Sequence, residues 1–104
     1  MANFSKEWEA IRRNTGEIAR LANSNKKIDR LAAYLLSGKP VTGRTLIEKF
    51  GIYSYRDTIY DLGKKGYDIQ RKVVTSANGV EHKVWWLAEF SEEWAKMTAP
   101  EMFK

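Results

Sequence analysis

Residues 25–67 read NKKIDRLAAYLLSGKPVTGRTLIEKFGIYSYRDTIYDLGKKGY and carry the signals of three helices in close succession. Apolar side chains recur at helical spacing over 25–37, over 42–50 and over 54–65. A glycine follows each segment, as is typical of helix C-termini. The inward-facing apolar residues are Ile28, Leu31, Ala32 and Leu35 in the first helix, Leu46, Ile47 and Phe50 in the second, and Tyr55, Ile59 and Leu62 in the third. The pattern predicts three short helices around one core.

The boundaries of these helices are set by capping residues. Pro40 prevents the first helix from continuing, and Val41 is placed for one short strand. Thr42 is the predicted N-cap of the second helix. Ser54 is the predicted N-cap of the third, with Asp57 completing a pattern that resembles a capping box. The connections are therefore short, and the second and third helices form a tight pair.

After these helices the sequence changes to a β pattern. Runs rich in valine, isoleucine, threonine and aromatic residues cover 67–75 and 80–88. Asn78-Gly79 between them is the strongest short-range signal for a hairpin, because a type I′ turn needs positive φ at both central positions. The last third of the chain therefore predicts a β-hairpin.

The register of this hairpin depends on the length of its loop. A two-residue loop pairs Val73 with Val84 and places Trp86 on the buried face. A three-residue loop reverses that choice, because a slip of one residue moves every side chain to the other face. The sequence leaves open which of Trp85 and Trp86 is buried.

Positive charge is concentrated in the middle of this 104-residue chain. Lysine and arginine number 18 against 13 aspartate and glutamate, for a net charge of +5. Residues 24–87 carry twelve basic and six acidic side chains, whereas residues 88–104 carry two basic and four acidic ones. Excess positive charge raises the local concentration of phosphates, so a polyanion is the expected partner.

The composition argues against catalysis. There is no cysteine, which excludes a disulfide scaffold, a thiolate metal site and a thiol nucleophile. His82 is the single histidine, and its neighbour Glu81 points to the opposite face of the same predicted strand. The chain also lacks a glycine-rich phosphate loop and any long apolar segment. We therefore expect no enzyme, cofactor, metal site, small-molecule substrate or membrane contact, and a cytoplasmic location in a bacterium or a phage-infected host cell.

The order of helix, short helix, tight turn, helix and hairpin resembles the small winged helix-turn-helix domains common in phage and prophage proteins. The residues that carry the resemblance are Leu35-Leu36-Ser37-Gly38, Phe50-Gly51-Ile52, Ile59-Tyr60-Asp61-Leu62 and Lys65-Gly66-Tyr67-Asp68-Ile69. The implied fold class is α+β, a winged helix-turn-helix with a three-helix core, a β-hairpin wing, an extra N-terminal helix and a short C-terminal helix. The expected division is a helical arm at 1–23, the winged domain at 24–88 and a short helical tail at 89–104.

This resemblance implies a sequence-specific protein that binds double-stranded DNA, as a phage or bacterial transcriptional regulator. The helix that starts near Ser54 would enter the major groove, and the wing would follow the backbone or the minor groove. Arg56 is the candidate for a guanine contact, because its planar fork suits the O6/N7 edge. The DNA-binding residues implied are Thr42, Arg44, Ser54, Tyr55, Arg56, Thr58, Tyr60, Lys64, Arg71, Lys72, His82 and Lys83.

Two carboxylates complicate this interpretation. Asp57 and Asp61 lie at i and i+4 on the outermost side of the predicted DNA-reading helix, where phosphates would repel them. Asp57 is explained as a cap, and Asp61 by an ion pair with Lys64 or Lys65. A carboxylate can also accept a hydrogen bond from cytosine N4. The sequence leaves open whether this helix enters the major groove.

Apolar residues at both ends of the chain support an alternative function, a protein-interaction module that binds a host or phage protein. In the arm they recur at helical spacing at Phe4, Trp8, Ile11, Thr15, Ile18 and Ala22. In the tail, Ser91 is the predicted N-cap of a two-turn helix that ends before Pro100. These side chains either cover the protein's own core or form a homodimer or partner surface. That candidate surface comprises Phe4, Trp8, Ile11, Ile18, Trp94 and Met97.

Overall fold

A three-stranded antiparallel sheet packs against three helices, and a helical segment from each end of the chain packs around them. The computed structural model of this chain describes residues 3–104; Met1 and Ala2, which begin the predicted arm, lie outside the described residues. The helices are α1 Ser5–Arg13, α2 Thr15–Ala22, α3 Lys27–Leu36, α4 Gly43–Phe50, α5 Tyr55–Lys64 and α6 Glu92–Thr98, and the strands are β1 Val41–Thr42, β2 Ile69–Thr75 and β3 Glu81–Leu87. A 3₁₀ turn, Pro100–Phe103, follows α6. This order confirms the predicted three-helix core and β-hairpin wing.

The caps of α4 agree with the sequence prediction. The Thr42 hydroxyl accepts the Thr45 N–H at 3.2 Å, and the Thr45 hydroxyl accepts the Thr42 N–H at the same distance, which forms a reciprocal capping box. Gly51 ends α4 in the left-handed conformation, at φ 65°. The predicted strand at Val41 also forms, because β1 pairs with β3.

The predicted capping box at the start of α5 was wrong. Ser54 precedes the helix, but its side chain makes no capping hydrogen bond. A capping serine needs extended backbone angles to direct its hydroxyl at the first turn, and Ser54 has ψ 57° instead. The Thr58 hydroxyl donates to the Ser54 carbonyl at 3.1 Å. Asp57 is therefore not explained by a capping box.

The register of the hairpin follows the three-residue loop. Val73 pairs with Lys83, so of the two registers that the sequence left open, the one with a two-residue loop and Val73 opposite Val84 does not form. The Ser76 N–H donates to the Val80 carbonyl at 2.8 Å and closes a loop at 77–79. Gly79 takes positive φ at 83°, as in a type I turn followed by a glycine bulge.

Both tryptophans of β3 are buried, because both faces of the sheet are covered. Trp85 faces the helices, with its ring 6.0 Å from that of Tyr55 in α5. Trp86 points to the other face, where its ring lies 6.0 Å from that of Phe103. We call the first the helix face and the second the tail face. The sequence predicted that only one of the two tryptophans would be buried. Both are buried because the C-terminal segment covers the face on which Trp86 lies.

The arm forms two helices where the spacing predicted one. The break falls at Asn14, and the Thr15 hydroxyl donates to the carbonyls of Ile11 and Arg12, which competes with regular helical bonding. The buried stripe is therefore shifted from the predicted one. Phe4, Ile11 and Ile18 are half-buried as expected, whereas Trp8, Thr15 and Ala22 are exposed, and Glu7, Ala10 and Leu21 are buried.

The tail packs on the rest of the molecule through Trp94, which is 4% exposed. Its indole N–H donates to the Gly38 carbonyl at 2.8 Å, and its ring stacks on Phe90. Rings from the arm, Phe4 and Trp8, meet it edge-on with centroids 5.3 and 5.2 Å away. Of the two readings left open by the sequence, the structure shows the one in which the tail covers the core, and Trp94 is closed to a partner.

The arm and the tail are also joined by polar contacts. The Glu7 carboxylate accepts the Ser91 N–H at 3.1 Å, and Arg13 forms an ion pair with Glu89. Ser91 caps α6 as predicted, accepting the Trp94 N–H at 3.2 Å. Burial is the largest influence and acts to raise the pKa of Glu7, but the hydrogen bonds from Ser91, a hydrogen bond from its own backbone and the nearby charge of Lys6 together leave that pKa below its ordinary value.

Candidate nucleic-acid interface

An open groove runs between the start of α4, the start of α5, the outer end of β3 and the C-terminal 3₁₀ turn. Its floor is largely apolar and includes Ile47 and the half-buried ring of Tyr55. Its charged wall residues are Arg44, Glu48, Lys49, Arg56, Glu81, Lys83 and Glu101. Of the residues that the sequence proposed for DNA, the groove brings together Thr42, Arg44, Tyr55, Arg56, His82 and Lys83.

The start of α4 provides one wall of the groove. Gly43 lies against Tyr55, and a Cβ atom at this position would be 3.3 Å from the tyrosine ring. Arg44 is exposed and its Nε donates to Glu48 at 2.9 Å. An exposed ion pair of this kind is weak, and its hydrogen bond uses only the Nε of Arg44, which leaves the two terminal nitrogens of the guanidinium as donors. Arg44 is therefore suited to contact an anion in the groove.

The start of α5 provides the second basic side chain, Arg56. It is exposed, and no ion pair engages it within residues 3–104. Two tyrosines flank it along the chain: Tyr53 is 76% exposed and Tyr60 is 67% exposed. Lys64 lies 5.1 Å from the centre of the Tyr60 ring, a cation–π distance. Tyr53 was not among the predicted contact residues, although its position in the turn directly before α5 makes an exposed side chain there unsurprising.

The exposed surface of α5 has two chemically different flanks. Arg56 and Tyr60 lie one turn apart on the flank that borders the groove, which we call the basic flank. Asp57 and Asp61 lie on the adjacent acidic flank, and both are exposed. In the described part of the chain neither carboxylate forms an ion pair, and the pairing of Asp61 with Lys64 or Lys65 is not formed.

Two predicted contact residues of α5 face inward. Tyr55 packs between Gly43 and Trp85, so its ring supports the groove floor. Thr58 is half-buried, with its hydroxyl donated to the backbone. Ser54, Thr58, Tyr60, Lys64, Arg71 and Lys72 do not line the groove.

The four polar wing residues divide between the two faces of the hairpin, because side chains alternate along a strand. Arg71 and Lys83 share the helix face, and Lys83 lines the groove. Lys72 lies on the tail face, where it pairs with Glu92 at 2.9 Å. Hydrogen bonds from Lys72 and Lys96 lower the pKa of Glu92.

His82 is not the exposed wing residue that the sequence suggested. It is half-buried on the tail face, and its Nε2 lies 2.6 Å from the Met102 carbonyl oxygen. The carbonyl accepts a hydrogen bond from this nitrogen, which is therefore occupied within the protein. The contact was missed because nothing in the spacing of the tail indicates that it returns to the wing.

The candidate partner surface is only partly accessible. Trp8 is 55% exposed and Met97 is 52% exposed, whereas Trp94 is buried beside Trp8. Phe4, Ile11 and Ile18 are half-buried against the core. The accessible apolar part of this surface is therefore centred on Trp8 and Met97.

The described residues contain neither a metal-binding cluster nor a membrane-spanning helix. Residues 3–104 hold no group of three or more histidine, cysteine, aspartate or glutamate side chains arranged to bind a metal ion. No helix in this part of the chain is both long and apolar enough to cross a membrane.

The central part of the chain matches a known protein family. A family model described as a winged helix-turn-helix domain matches residues 27–84, more than half of the chain. The matched segment begins with α3 and ends within β3, and so contains the walls of the groove contributed by α4, α5 and the wing. No curated protein and no solved structure matches the chain.

Proposed function

Because this chain belongs to the winged helix-turn-helix domain family, a fold that typically binds DNA and is not enzymatic, we propose that it is a sequence-specific regulator of bacterial or phage transcription. It would bind double-stranded DNA in the cytoplasm. The observation that carries the proposal is the groove, in which Arg44, Arg56 and Lys83 come from three different elements and line one surface.

In the proposed complex, the basic flank of α5 faces the bases. Arg56 donates both arms of its guanidinium to guanine O6 and N7 in the major groove. Arg44 and Lys83, on either side, bind phosphates and set the position of the helix. Tyr60 contacts base edges or thymine methyl groups. The acidic flank is directed away from the nearer phosphate strand. Asp57 and Asp61 therefore restrict how α5 can rotate within the DNA major groove, but they do not keep α5 out of the major groove.

Fluorescence anisotropy with labelled duplexes, measured at several salt concentrations, tests the proposal. A duplex pool from the source genome is used first, and bound sequences are selected and sequenced. We expect Arg56→Ala to weaken binding to the selected site by about 5- to 150-fold and to relax the preference at one base pair. Arg12→Ala is the matched control, because it removes the same charge from the exposed side of α1. Equal losses in both variants, or no binding by the wild type at low salt, would contradict sequence-specific binding.

A second copy of the chain is the partner favoured by exposed Trp8 and Met97. A dimer formed through them would place two groove surfaces on paired half-sites. Sedimentation velocity over a range of concentrations measures this directly. We expect Trp8→Ala to shift a concentration-dependent dimer to monomer while the helical circular dichroism is retained. A wild-type protein that stays monomeric at high concentration would contradict the dimer. The apolar surface would then be a binding site for a different protein, which a pull-down would test.

A further inference from the structure

Side chains join the tail to the wing at the outer end, the middle and the inner part of the hairpin. The His82 ring donates to the Met102 carbonyl at 2.6 Å, and the Lys72 ammonium donates to Glu92 at 2.9 Å. The rings of Trp86 and Phe103 meet at 6.0 Å. These contacts lie at the outer end, the middle and the inner part of the hairpin, all on the tail face.

The outer end of the wing has no third strand beside it in the described structure. Strand β1 pairs only with Val84 and Trp85 of β3, so in the described structure the hairpin beyond these residues is two-stranded. An isolated two-stranded hairpin is at best marginally stable in water. Here its two faces differ: Val74, directly opposite His82 on the tail face, is buried, whereas Val73 on the helix face is 47% exposed.

We propose that His82 is a positioning residue for DNA binding, through which the C-terminal 3₁₀ turn holds the outer wing beside the groove. Lys83 follows His82 directly; the two side chains point to opposite faces of the strand, and both residues line the groove. Fixing His82 to the Met102 carbonyl therefore fixes the backbone from which Lys83 extends. This role rests on the proposed function, and it differs from the phosphate contact that the sequence suggested for His82, because the Nε2 atom is already occupied.

Salt dependence separates a positioning residue from a phosphate contact. Each phosphate contact contributes about 0.9 to the slope of log affinity against log salt concentration. We expect Lys83→Ala to lower this slope by about one contact. His82→Ala should weaken binding by about fivefold, the effect of one neutral hydrogen bond, and leave the slope at the wild-type value. His82→Gln, whose amide can donate to the same carbonyl, should recover most of the affinity.

Amide hydrogen exchange in the free, full-length protein provides a readout that does not require DNA. In His82→Ala we expect faster exchange at residues 73–83. In Lys83→Ala the same residues should exchange at the wild-type rate, and in both variants the helices should exchange at the wild-type rate. A reduced salt slope in His82→Ala would make His82 a phosphate contact and overturn the proposal, as would wild-type affinity together with wild-type exchange. Failure of the wild type to bind any duplex would instead refute the proposed function, while the exchange rates would still show whether the tail holds the wing.

Discussion

Trp94→Ala should unfold the protein at a much lower temperature, because this side chain joins the two ends of the chain to the central domain. The indole is 4% exposed and packs against Phe4, Trp8 and Phe90. It also donates to the buried Gly38 carbonyl at 2.8 Å. Alanine would leave a cavity among three aromatic rings and remove the only side-chain donor that this carbonyl has within residues 3–104.

The expected loss follows from these contacts. Replacing a core tryptophan by alanine costs about 3–5 kcal/mol of unfolding free energy. Domains of this size have about 5–15 kcal/mol in total, so the variant loses a large part of its stability. With a shift of about 4–8 °C for each kcal/mol, the melting temperature should fall by on the order of 20 °C.

Thermal unfolding followed by circular dichroism, together with urea unfolding, measures this loss. Trp94→Phe retains much of the ring packing but removes the N–H donor, so it should cost less than Trp94→Ala, about 1–3 kcal/mol. Met97→Ala, on the exposed part of the same helix, should stay within about 0.5 kcal/mol of the wild type. If Trp94→Ala melted at the wild-type temperature, the tail would not be part of the core, and a partner surface centred on Trp94 would be the better interpretation.

Three further predictions concern the glycine beside Trp94, the buried glutamate and the acidic flank. Gly38→Ala should destabilise the protein by about 2 kcal/mol or more in urea unfolding, because Gly38 has φ 86° and a Cβ would lie 2.6 Å from the Trp94 indole nitrogen. Glu7 has a lowered pKa in the folded state, so its contribution is complete above the ordinary value of 4.5 and is lost as the pH falls through the folded pKa. Urea unfolding at about pH 7 and about pH 3.5 should therefore show a smaller acid loss in Glu7→Gln than in the wild type, and equal losses would contradict the role of this carboxylate. Replacing Asp57 and Asp61 together by asparagine should raise affinity for all duplexes by about tenfold at low salt in the anisotropy assay; a change confined to sites with one particular base would indicate cytosine contacts instead.

The central helices could be predicted because their signals are local. The Thr42 capping box and the positive φ of Gly51 depend on residues within one turn of the helix end. The leucines Leu31, Leu46 and Leu62, predicted to face inward, are all fully buried. Helical periodicity identifies the apolar side of each helix. Because the connections are short, the apolar sides of the three helices pack against one another in a single core.

The pairing of the wing could not be fixed from the sequence, because it depended on a single loop bond and on a distant segment. Asn78-Gly79 suits loops of two or three residues, and the bond from Ser76 to Val80 selects the longer one. Burial of Trp86 then depends on Phe103, seventeen positions away, which no periodicity connects to the strand. The contact of His82 could not be predicted for a similar reason. Its partner is the backbone carbonyl of Met102, and any residue type at that position would provide the same carbonyl.

The segments outside the family match complete the hydrophobic core. The match covers 27–84, yet the buried cluster includes Leu21 from the arm and Phe90 and Trp94 from the tail. A domain of about 60 residues buries a smaller fraction of its surface than a larger one, so flanking apolar residues add stability where it is most limited. Gly38 allows the tail to pack on the central helices. It follows the end of α3 with positive φ, and its lack of a side chain leaves the space that the Trp94 indole occupies. One glycine thus serves both the central helices and the tail, and only the first of these roles is visible in the sequence around it.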